Sequence, residues 1–257
     1  MRANRQRKIL ELVAQNGQVA VTDLCALFGV SEMTVRRDLS ELDREGLLRR
    51  VHGGAMSSLG RSYEPPYPLR ATENLRYKKA IGRAAAEMIS DGESIAFDVG
   101  TTTLEIARAL EGKRNLTILT ASVPIANEIV VNYSLESDVR LILTGGVVRA
   151  GELSMIGEYA SRIYADLHVD KAFMGIGGIS LKDGLTEYNM EDALMKQALI
   201  RSANHVVVVA DSTKFGRTTF ASVAQLTSIH TVITDLEAPS EMVEALRHLD
   251  IEVVIAE

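Results

Sequence analysis

Polar residues suited to holding an anion follow an apolar run soon after residue 90. Residues 94–98 (SIAFD) lead into residues 99–103 (VGTTT), after which a helical pattern begins. Glycine lets backbone N–H groups approach an anion, the threonines add hydroxyl donors, and the start of a helix adds its dipole. The arrangement favours a phosphate cradle, with a plain capped turn between strand and helix as the alternative.

Four more loops place polar or glycine residues after apolar runs: TAS at 120–122, GG at 145–146, GIGG at 175–178 and DSTKFG at 211–216. In a parallel sheet these loops lie at the same edge, so we expect all five to converge on one crevice. Hydroxyl and amide donors there would bind the phosphate of a sugar phosphate, carboxylates its hydroxyl groups, and Lys214 would add positive charge. GIGG lacks the spacing of a dinucleotide fingerprint and no helix follows it. We therefore predict no NAD, no other cofactor and no metal.

A second set of polar side chains belongs to a helix-turn-helix pattern near the N-terminus. Apolar residues recur at helical spacing over residues 21–28, stop at Gly29, and recur again over residues 35–42 after Ser31. Two short helices joined by a glycine turn are typical of DNA-binding helix-turn-helix units. A helix over residues 4–16 would complete a three-helix core.

The outer face of the second motif helix carries groups that suit DNA. Ser31 would cap this helix, and its N-terminus would lie against a phosphate. Arg36 and Arg37 are the strongest candidates for base or phosphate contacts, because the guanidinium fork suits phosphate and guanine O6/N7. A solvated arginine pair is the alternative for an isolated RR, but the helix-turn-helix pattern favours DNA.

A wing is predicted after this motif. Residues 46–55 (GLLRRVHGGA) change to a strand-like period, with Gly53-Gly54 as the hairpin turn. An ordinary exposed hairpin is the alternative. The predicted DNA-contacting residues of motif and wing are Thr22, Ser31, Thr34, Arg36, Arg37, Arg49, Arg50 and His52.

The remaining elements predict how these residues are positioned. Residues 56–70 carry three of the five prolines and no apolar period, which indicates a linker. Beyond it, helix 72–90 and helices 104–110, 123–132, 192–202 and 240–249 alternate with strands 94–98, 116–120, 139–144, 171–174, 205–210, 232–234 and 252–255. This alternation predicts a mainly parallel, doubly wound α/β sheet. We expect a winged helix-turn-helix domain at 1–56, a linker at 57–71 and an effector domain at 72–257.

Composition limits the class of protein. The chain has 257 residues, 46% hydrophobic content and a net charge of −6, divided into +2 for residues 1–56 and −8 for the remainder. This asymmetry suits a small nucleic-acid-binding head on an acidic body. The single cysteine, Cys25, is expected to be a core residue. Neither a signal peptide nor an apolar run of about 20 residues is evident, so we expect a cytoplasmic protein without membrane association.

The N-terminal motif also resembles a known family. The sequence VSEMTVRRDLSELDREGLLRRVHGGA at 30–55 is similar to the signature of the DeoR-type bacterial transcriptional repressors, and the match extends over residues 5–55. Its order of VS, T, RRDL, L, G, L and HGGA is more restrictive than a generic helix-turn-helix. The resemblance implies a winged helix-turn-helix before a domain that senses sugar phosphates.

The C-terminal part carries further motifs similar to this family: DVGTTT, TGGVVR, MGIGGI and ADSTKFG. The resemblance implies a fold related to ribose-phosphate isomerases, with a phosphate site at Asp98 and Gly100 to Thr102. Lys78 matches a family lysine just before the first sensor helix, with Lys79 as the alternative. The effector residues expected from loops and resemblance together are Lys78, Asp98, Gly100, Thr101, Thr102, Thr103, Ser122, Gly145, Gly146, Gly175, Glu191, Lys196, Asp211 and Lys214. Ala121 departs from the asparagine that is common in the family.

Three functions are weighed. The leading hypothesis is a repressor that binds double-stranded operator DNA as a homodimer or homotetramer and is released by a phosphorylated sugar or related metabolite. The second is a sugar-phosphate isomerase with Asp98, Glu191 or Asp211 as its base. The third is an architectural DNA-binding protein, against which the acidic body counts.

Overall fold

The structure is a computed structural model that describes residues 2–16, 18–57, 60–132 and 138–257. The chain divides into two compact units, one ending at Tyr63 and the other beginning at Glu64. Among the described residues, no helix is both long enough and apolar enough to cross a membrane.

The first unit is a three-helix core with a small sheet. Its elements are α1 (Arg2–Asn16), β1 (Gln18–Ala20), α2 (Val21–Phe28), α3 (Glu32–Arg44), β2 (Leu48–Val51) and β3 (Gly54–Ser57), and the sheet order is β1-β3-β2. Gly29 ends α2 in the left-handed region at φ 62°, and its N–H donates to the Cys25 carbonyl. The Ser31 side chain caps α3 by accepting from the Thr34 N–H. Both local predictions for the motif are therefore confirmed.

The apolar spacing of the motif builds the core of this unit. Ile9 of α1, Leu24 of α2 and Leu39 of α3 are at most 1% exposed and belong to one cluster, while Cys25 packs at its edge. Asp38 is also buried, and its carboxylate accepts from Arg5 Nε at 2.6 Å. This ion pair ties α1 to α3.

The hairpin turn differs from the sequence prediction. Its two turn residues are His52 and Gly53, the latter at φ 80°, and Gly54 already pairs with Val51 in the sheet. Gly54 is needed for another reason: a Cβ there would lie 2.1 Å from the Val19 carbonyl oxygen. The prediction of Gly53-Gly54 as the turn is wrong by one residue, because close packing of β1 on β3 explains the second glycine.

The second unit is built on a parallel sheet. Its described strands are β4 (Ser94–Phe97), β5 (Thr117–Thr120), β6 (Arg140–Leu143), β7 (Val147–Arg149), β8 (Ser154–Ile156), β9 (Val169–Met174), β10 (Gly178–Ser180), β11 (Gly184–Glu187), β12 (Ala203–Val209), β13 (Ala221–Ala224), β14 (Thr231–Asp235) and β15 (Glu252–Ala256). Seven of these form the main sheet in the order β15-β14-β12-β9-β4-β5-β6, with all neighbours parallel.

The described helices of this unit are α4 (Tyr67–Thr72), α5 (Leu75–Glu87), α6 (Thr101–Arg108), α7 (Val123–Asn132), α8 (Glu158–Asp166), α9 (Met190–Ser202) and α10 (Ser240–His248). Side chains alternate across the sheet into two apolar cores. Phe97 and Phe173 pack with α5, α6 and α7 on one face, while Ala96 and Met174 pack with α8, α9 and α10 on the other. The expected doubly wound α/β fold is confirmed.

Several elements were not predicted from sequence. Strands β7 and β8 form a hairpin, β10, β11 and β13 form a small antiparallel sheet, and α8 lies between β8 and β9. The segment expected to be a linker also contains α4, and the helix expected over residues 72–90 starts at Leu75 after Asn74 at φ 55°. Proline is compatible with the first turn of a helix, because the N–H that it lacks would have no intrahelical partner there. The prolines at the start of α4 therefore did not indicate an irregular segment.

Candidate functional site

The outer face of α3 is free of core contacts. Met33 is 80% exposed, and Arg36 and Arg37 are exposed. Arg36 pairs with Glu32 at 3.1 Å along the same helix, whereas the Arg37 guanidinium has no hydrogen bond or ion pair within the part of the chain that the structure describes. The exposed Ser31 and the half-buried Thr34 lie at the start of the helix. These four predicted residues share one accessible helix end.

The wing adds further cations, and one of them is bound to α3. Arg50 donates to Ser40 Oγ at 2.7 Å, and its backbone N–H donates to Asp43 at 3.0 Å. Arg49 and His52 are exposed on the hairpin, and Thr22 is exposed on α2. Arg50 therefore also fixes the wing against α3.

A cleft opens in the second unit where β4, β9 and β12 end. These strands are neighbours in the sheet, so the residues that follow them meet. The predicted residues that line the cleft are Lys78, Gly100, Thr101, Thr102, Gly175, Lys196, Asp211 and Lys214. Three of the five predicted loops thus converge.

The start of α6 offers anion-binding groups to this cleft. Gly100 takes φ 146°, a conformation that side chains disfavour, and its carbonyl accepts from Leu104 N–H and Thr103 Oγ1. The backbone N–H groups of residues 101–103 have no hydrogen-bond partner among the described residues. Thr103 is fully buried and caps the loop, so it supports the cradle without lining it.

A buried charge cluster lies beneath the cleft. Lys196 Nζ forms an ion pair with the Asp98 carboxylate and lies 3.4 Å from Glu187. Burial raises the pKa of both carboxyls, and the pair of carboxylates overcomes burial to raise the pKa of Lys196. Asp98 also accepts from the Gly175 N–H at 3.1 Å. Asp98 therefore positions Lys196 and the loop at Gly175 and does not itself line the cleft.

Lys78 lies inside α5, not before it as the resemblance implied, and it is 4% exposed while Lys79 is exposed. Burial lowers the pKa of Lys78 to about 8; Asp211 opposes this shift and Lys214 adds to it. Its Nζ donates to the Arg70 carbonyl. The structure thus selects Lys78 over Lys79 as the lysine of the cleft.

Asp211 organises the loop after β12. Its carboxylate caps the 3₁₀ turn Ser212–Lys214 by accepting from the Thr213 N–H at 3.1 Å. The cap places Lys214 at the cleft, where its side-chain ammonium has no hydrogen bond or ion pair with any described residue. Lys214 is therefore a cation available to a ligand.

Several residues at the cleft were missed by sequence reasoning: Glu64, Arg70, Glu73, Val99, Glu152, Ile176, Glu187, Tyr188, Asp192, Val209, Ala210 and Thr213. Arg70 pairs with Glu64 at 3.0 Å and with Glu152, and Arg149 pairs with Asp192 at 3.0 Å. Tyr188 is 3% exposed, and its hydroxyl has no hydrogen-bond partner among the described residues. Val99, Ile176 and Thr213 lie in loops that were predicted to converge, although they were not among the predicted site residues, whereas the charged residues carry no local pattern that marks a ligand site.

Six predicted effector residues do not line the cleft. Asp98 and Thr103 support it from beneath, and the other four lie elsewhere: Ser122, Gly145, Gly146 and Glu191. Ser122 caps α7, and the two glycines follow β6 at the edge of the sheet, away from β9 and β12. Glu191 is exposed on the first turn of α9, where its neighbour Asp192 is buried and lines the cleft. The expectation that all five loops converge is wrong, because sheet order separates β5 and β6 from the site.

Comparison with protein families identifies both units. The DeoR-like helix-turn-helix domain matches residues 5–59, and the DeoR C terminal sensor domain matches residues 73–236. The chain belongs to the DeoR family. It is a DNA-binding transcriptional regulator of this family, and this interpretation is favoured over the isomerase.

Relatives in the DeoR family match almost the whole chain. The HTH-type transcriptional regulator GlpR of Haloferax volcanii is 35% identical, over 98% of this chain and 97% of its own. The glycerol-3-phosphate regulon repressor of Escherichia coli is 34% identical, over 96% and 97%. Ribose 5-phosphate isomerase A of Methanocaldococcus jannaschii matches with a TM-score of 0.40 and 17% identity, over 56% of this chain and 55% of its own. A match at this level supports no statement about activity.

Proposed function

We propose that this DeoR-family protein represses a carbohydrate-utilisation operon and leaves its operator when a phosphorylated sugar or related metabolite binds the cleft. The observation that carries the proposal is the pairing, in one chain, of an exposed cationic helix end with a cleft that offers an unpaired helix N-terminus and Lys214. The relatives named as repressors support the same conclusion.

The DNA-binding half of the proposal rests on α3 and the wing. Arg37 would reach base edges or phosphate, and Ser31 and Thr34 would approach the DNA backbone at the start of the helix. Arg36 would leave its ion pair with Glu32 and bind DNA instead. Arg49 and His52 would contact phosphate or the minor groove from the hairpin. Thr22 on α2 would add a contact to the DNA sugar-phosphate backbone.

The effector half assigns the phosphate to the start of α6. The N–H groups of residues 101–103, the hydroxyls of Thr101 and Thr102, and Lys214 supply donors and charge. Lys78 is the second cation within the same cleft. Carboxylates of Glu73 and Asp192, with the unpaired Tyr188 hydroxyl, are suited to sugar hydroxyls.

Induction requires that the effector binds the operator-competent and incompetent arrangements with different affinity. A single small winged unit contacts few base pairs, so we propose that a homodimer or homotetramer binds repeated half-sites. Light scattering of the purified chain gives the subunit number directly, and a monomer at operator-binding concentrations would contradict this part.

The function is tested with duplexes from the promoter region upstream of the protein's own gene. Fluorescence anisotropy is measured without ligand and with glycerol 3-phosphate, ribose 5-phosphate, fructose 6-phosphate and fructose 1-phosphate in separate titrations. We expect DNA binding at nanomolar to micromolar concentration and at least tenfold weakening by one of these phosphorylated metabolites. Lys214→Ala should bind DNA normally and respond poorly to the ligand, whereas exposed Lys182→Ala should behave as wild type. Absence of DNA binding would remove the proposal.

A further inference from the structure

The segment that begins the second unit forms part of the wall of the cleft. Residues 64–73, which we call the strap, include α4 and contribute Glu64, Arg70 and Glu73 to the lining. Glu64 is joined by one peptide bond to the end of the first unit. The strap is therefore the piece of chain that both touches the proposed effector site and leads into the DNA-binding unit.

Ion pairs hold the strap in place. Arg70 pairs with Glu64 within the strap at 3.0 Å and with Glu152 of the β7–β8 loop, and its Nε donates to the Pro65 carbonyl at 2.8 Å. Arg149 of β7 pairs with Glu64 at 2.7 Å and with Asp192 of α9 at 3.0 Å. The side chains of Arg70, Glu64 and Glu152 are only 13–16% exposed. At this burial the pairs are less screened than surface pairs.

A third bond joins the strap to a cation of the cleft. Lys78 is almost completely buried, and its Nζ donates to the Arg70 carbonyl, which is the hydrogen bond that the structure gives it. Two cations of the cleft therefore already have partners: Lys78 is bound to the strap, and Arg70, within the strap, is bound to Glu64 and Glu152. Lys196 is held by Asp98 and Glu187, which leaves the side-chain ammonium of Lys214 without a partner among the described residues.

Binding of a phosphate dianion therefore competes with these bonds. A phosphate that bound the Lys78 ammonium would break the hydrogen bond from Lys78 to the Arg70 carbonyl. A phosphate that bound the Arg70 guanidinium would displace Glu64 and Glu152 from it. The displaced carboxylates would also be repelled by the bound anion. Phosphate binding in the cleft therefore destabilises the closed strap, and the closed strap weakens phosphate binding.

We propose that the strap is a latch that the effector phosphate opens by competing for Lys78 and Arg70, and that its opening is the event passed to the DNA-binding unit. This inference rests on the proposed function and adds the residues that regulate it. By linkage, a variant that weakens the latch must bind phosphate more tightly and must bind operator less tightly.

The test uses the full chain with Glu64→Gln and Glu152→Gln combined. Glutamine keeps the shape and hydrogen-bonding oxygen of each side chain but removes the charge that holds Arg70. Glu158→Gln on the exposed first turn of α8 is the matched control. Arg149→Met breaks the same network from its other side, so the result does not depend on one variant folding well.

Three measurements are made on each protein. In the strap, the N–H groups of Leu69 and Arg70 donate to the Pro66 carbonyl, and the N–H of Glu73 donates to the Leu69 carbonyl. Hydrogen exchange of these three amides should be at least tenfold faster in the latch variants, while exchange over α10 should be unchanged. Affinity for inorganic phosphate, by calorimetry, should rise at least threefold. Operator affinity should fall at least tenfold, and Glu158→Gln should change none of the three.

Each outcome decides the proposal. Unchanged exchange in the strap, or equal phosphate affinity including no binding in both proteins, overturns the latch. Faster exchange with unchanged operator affinity overturns its role in regulation. If the wild type itself binds no promoter duplex, the proposed function fails separately, while the exchange and phosphate results still judge the competition at the cleft.

Discussion

Lys196 on α9 and Asp98 at the end of β4 form a buried ion pair, although 98 residues separate them in sequence. Their side chains are 4% and 6% exposed, and Glu187 supplies a second carboxylate at 3.4 Å from Lys196 Nζ. The pair fastens α9 to the sheet below the cleft. Because the two charges neutralise each other, the Lys196–Asp98 pair holds the site together and leaves ligand binding to other residues.

Replacing Lys196 with methionine should destabilise the second unit strongly. The substitution leaves Asp98 and Glu187 buried with their charges unpaired, which costs about 3–5 kcal/mol when one partner of a buried pair is removed. Urea unfolding followed by circular dichroism measures this, with exposed Lys182→Met as the control. Equal unfolding midpoints for the two variants would contradict the structural role.

Ligand binding should weaken as the pH rises above 8. Burial lowers the pKa of Lys78 to about 8, so the free protein loses this proton at mildly alkaline pH. A bound phosphate favours the protonated amine, and binding above this pH must then take up a proton. Calorimetry from pH 7 to pH 9 should show falling affinity and increasing proton uptake.

The same pH series on Lys78→Met is the comparison. This variant should bind phosphate ligands more weakly at pH 7 and should lose most of the change between pH 8 and pH 9. A wild-type affinity that is constant across the series would show that Lys78 does not contact the anion.

Replacing Arg37 with alanine should weaken operator binding by about 1–3 kcal/mol without unfolding the protein. Arg37 is exposed on α3 and has no described partner whose loss would disturb the fold. The salt dependence of binding should also fall if Arg37 contacts phosphate. Arg162→Ala, 75% exposed on α8, is a control of equal charge change, and equal effects of both would argue against a role of α3.

A methyl group at Gly54 should disrupt the wing. Its Cβ would lie 2.1 Å from the Val19 carbonyl oxygen, so β1 and β3 must separate. We expect Gly54→Ala to lower the thermal stability of the first unit and to abolish operator binding while phosphate binding in the second unit persists. Gly60→Ala, whose Cβ would have its nearest neighbour at 4.0 Å, should leave both activities intact.

Local patterns predicted much of the first unit. Gly29 and Ser31 marked the end of one helix and the start of the next, because a left-handed glycine and a serine cap satisfy backbone groups locally. Gly54 was misassigned to the turn because its actual constraint is a neighbouring strand. Such a contact has no local signature.

The same division applies to the second unit. Apolar runs separated by helical patterns predicted a parallel sheet, and polar residues after the runs predicted which loops could bind a ligand. Arg70 was placed in a linker because three prolines lie just before it, yet its partner Glu152 is 82 residues away. Ion pairs over such separations depend on how the chain folds back on itself.

The sequence by itself determined the class of fold and the helix-turn-helix, and it predicted an anion-binding loop at Gly100, since these follow from periodicity, capping and backbone freedom over a few residues. Only the tertiary structure decided which loops meet. The order β12-β9-β4-β5-β6 brings Asp211, Gly175 and Gly100 together and leaves Gly145 and Gly146 at the edge. Strand order depends on the packing of whole helices on the sheet, and that free energy is distributed over residues far apart in the chain.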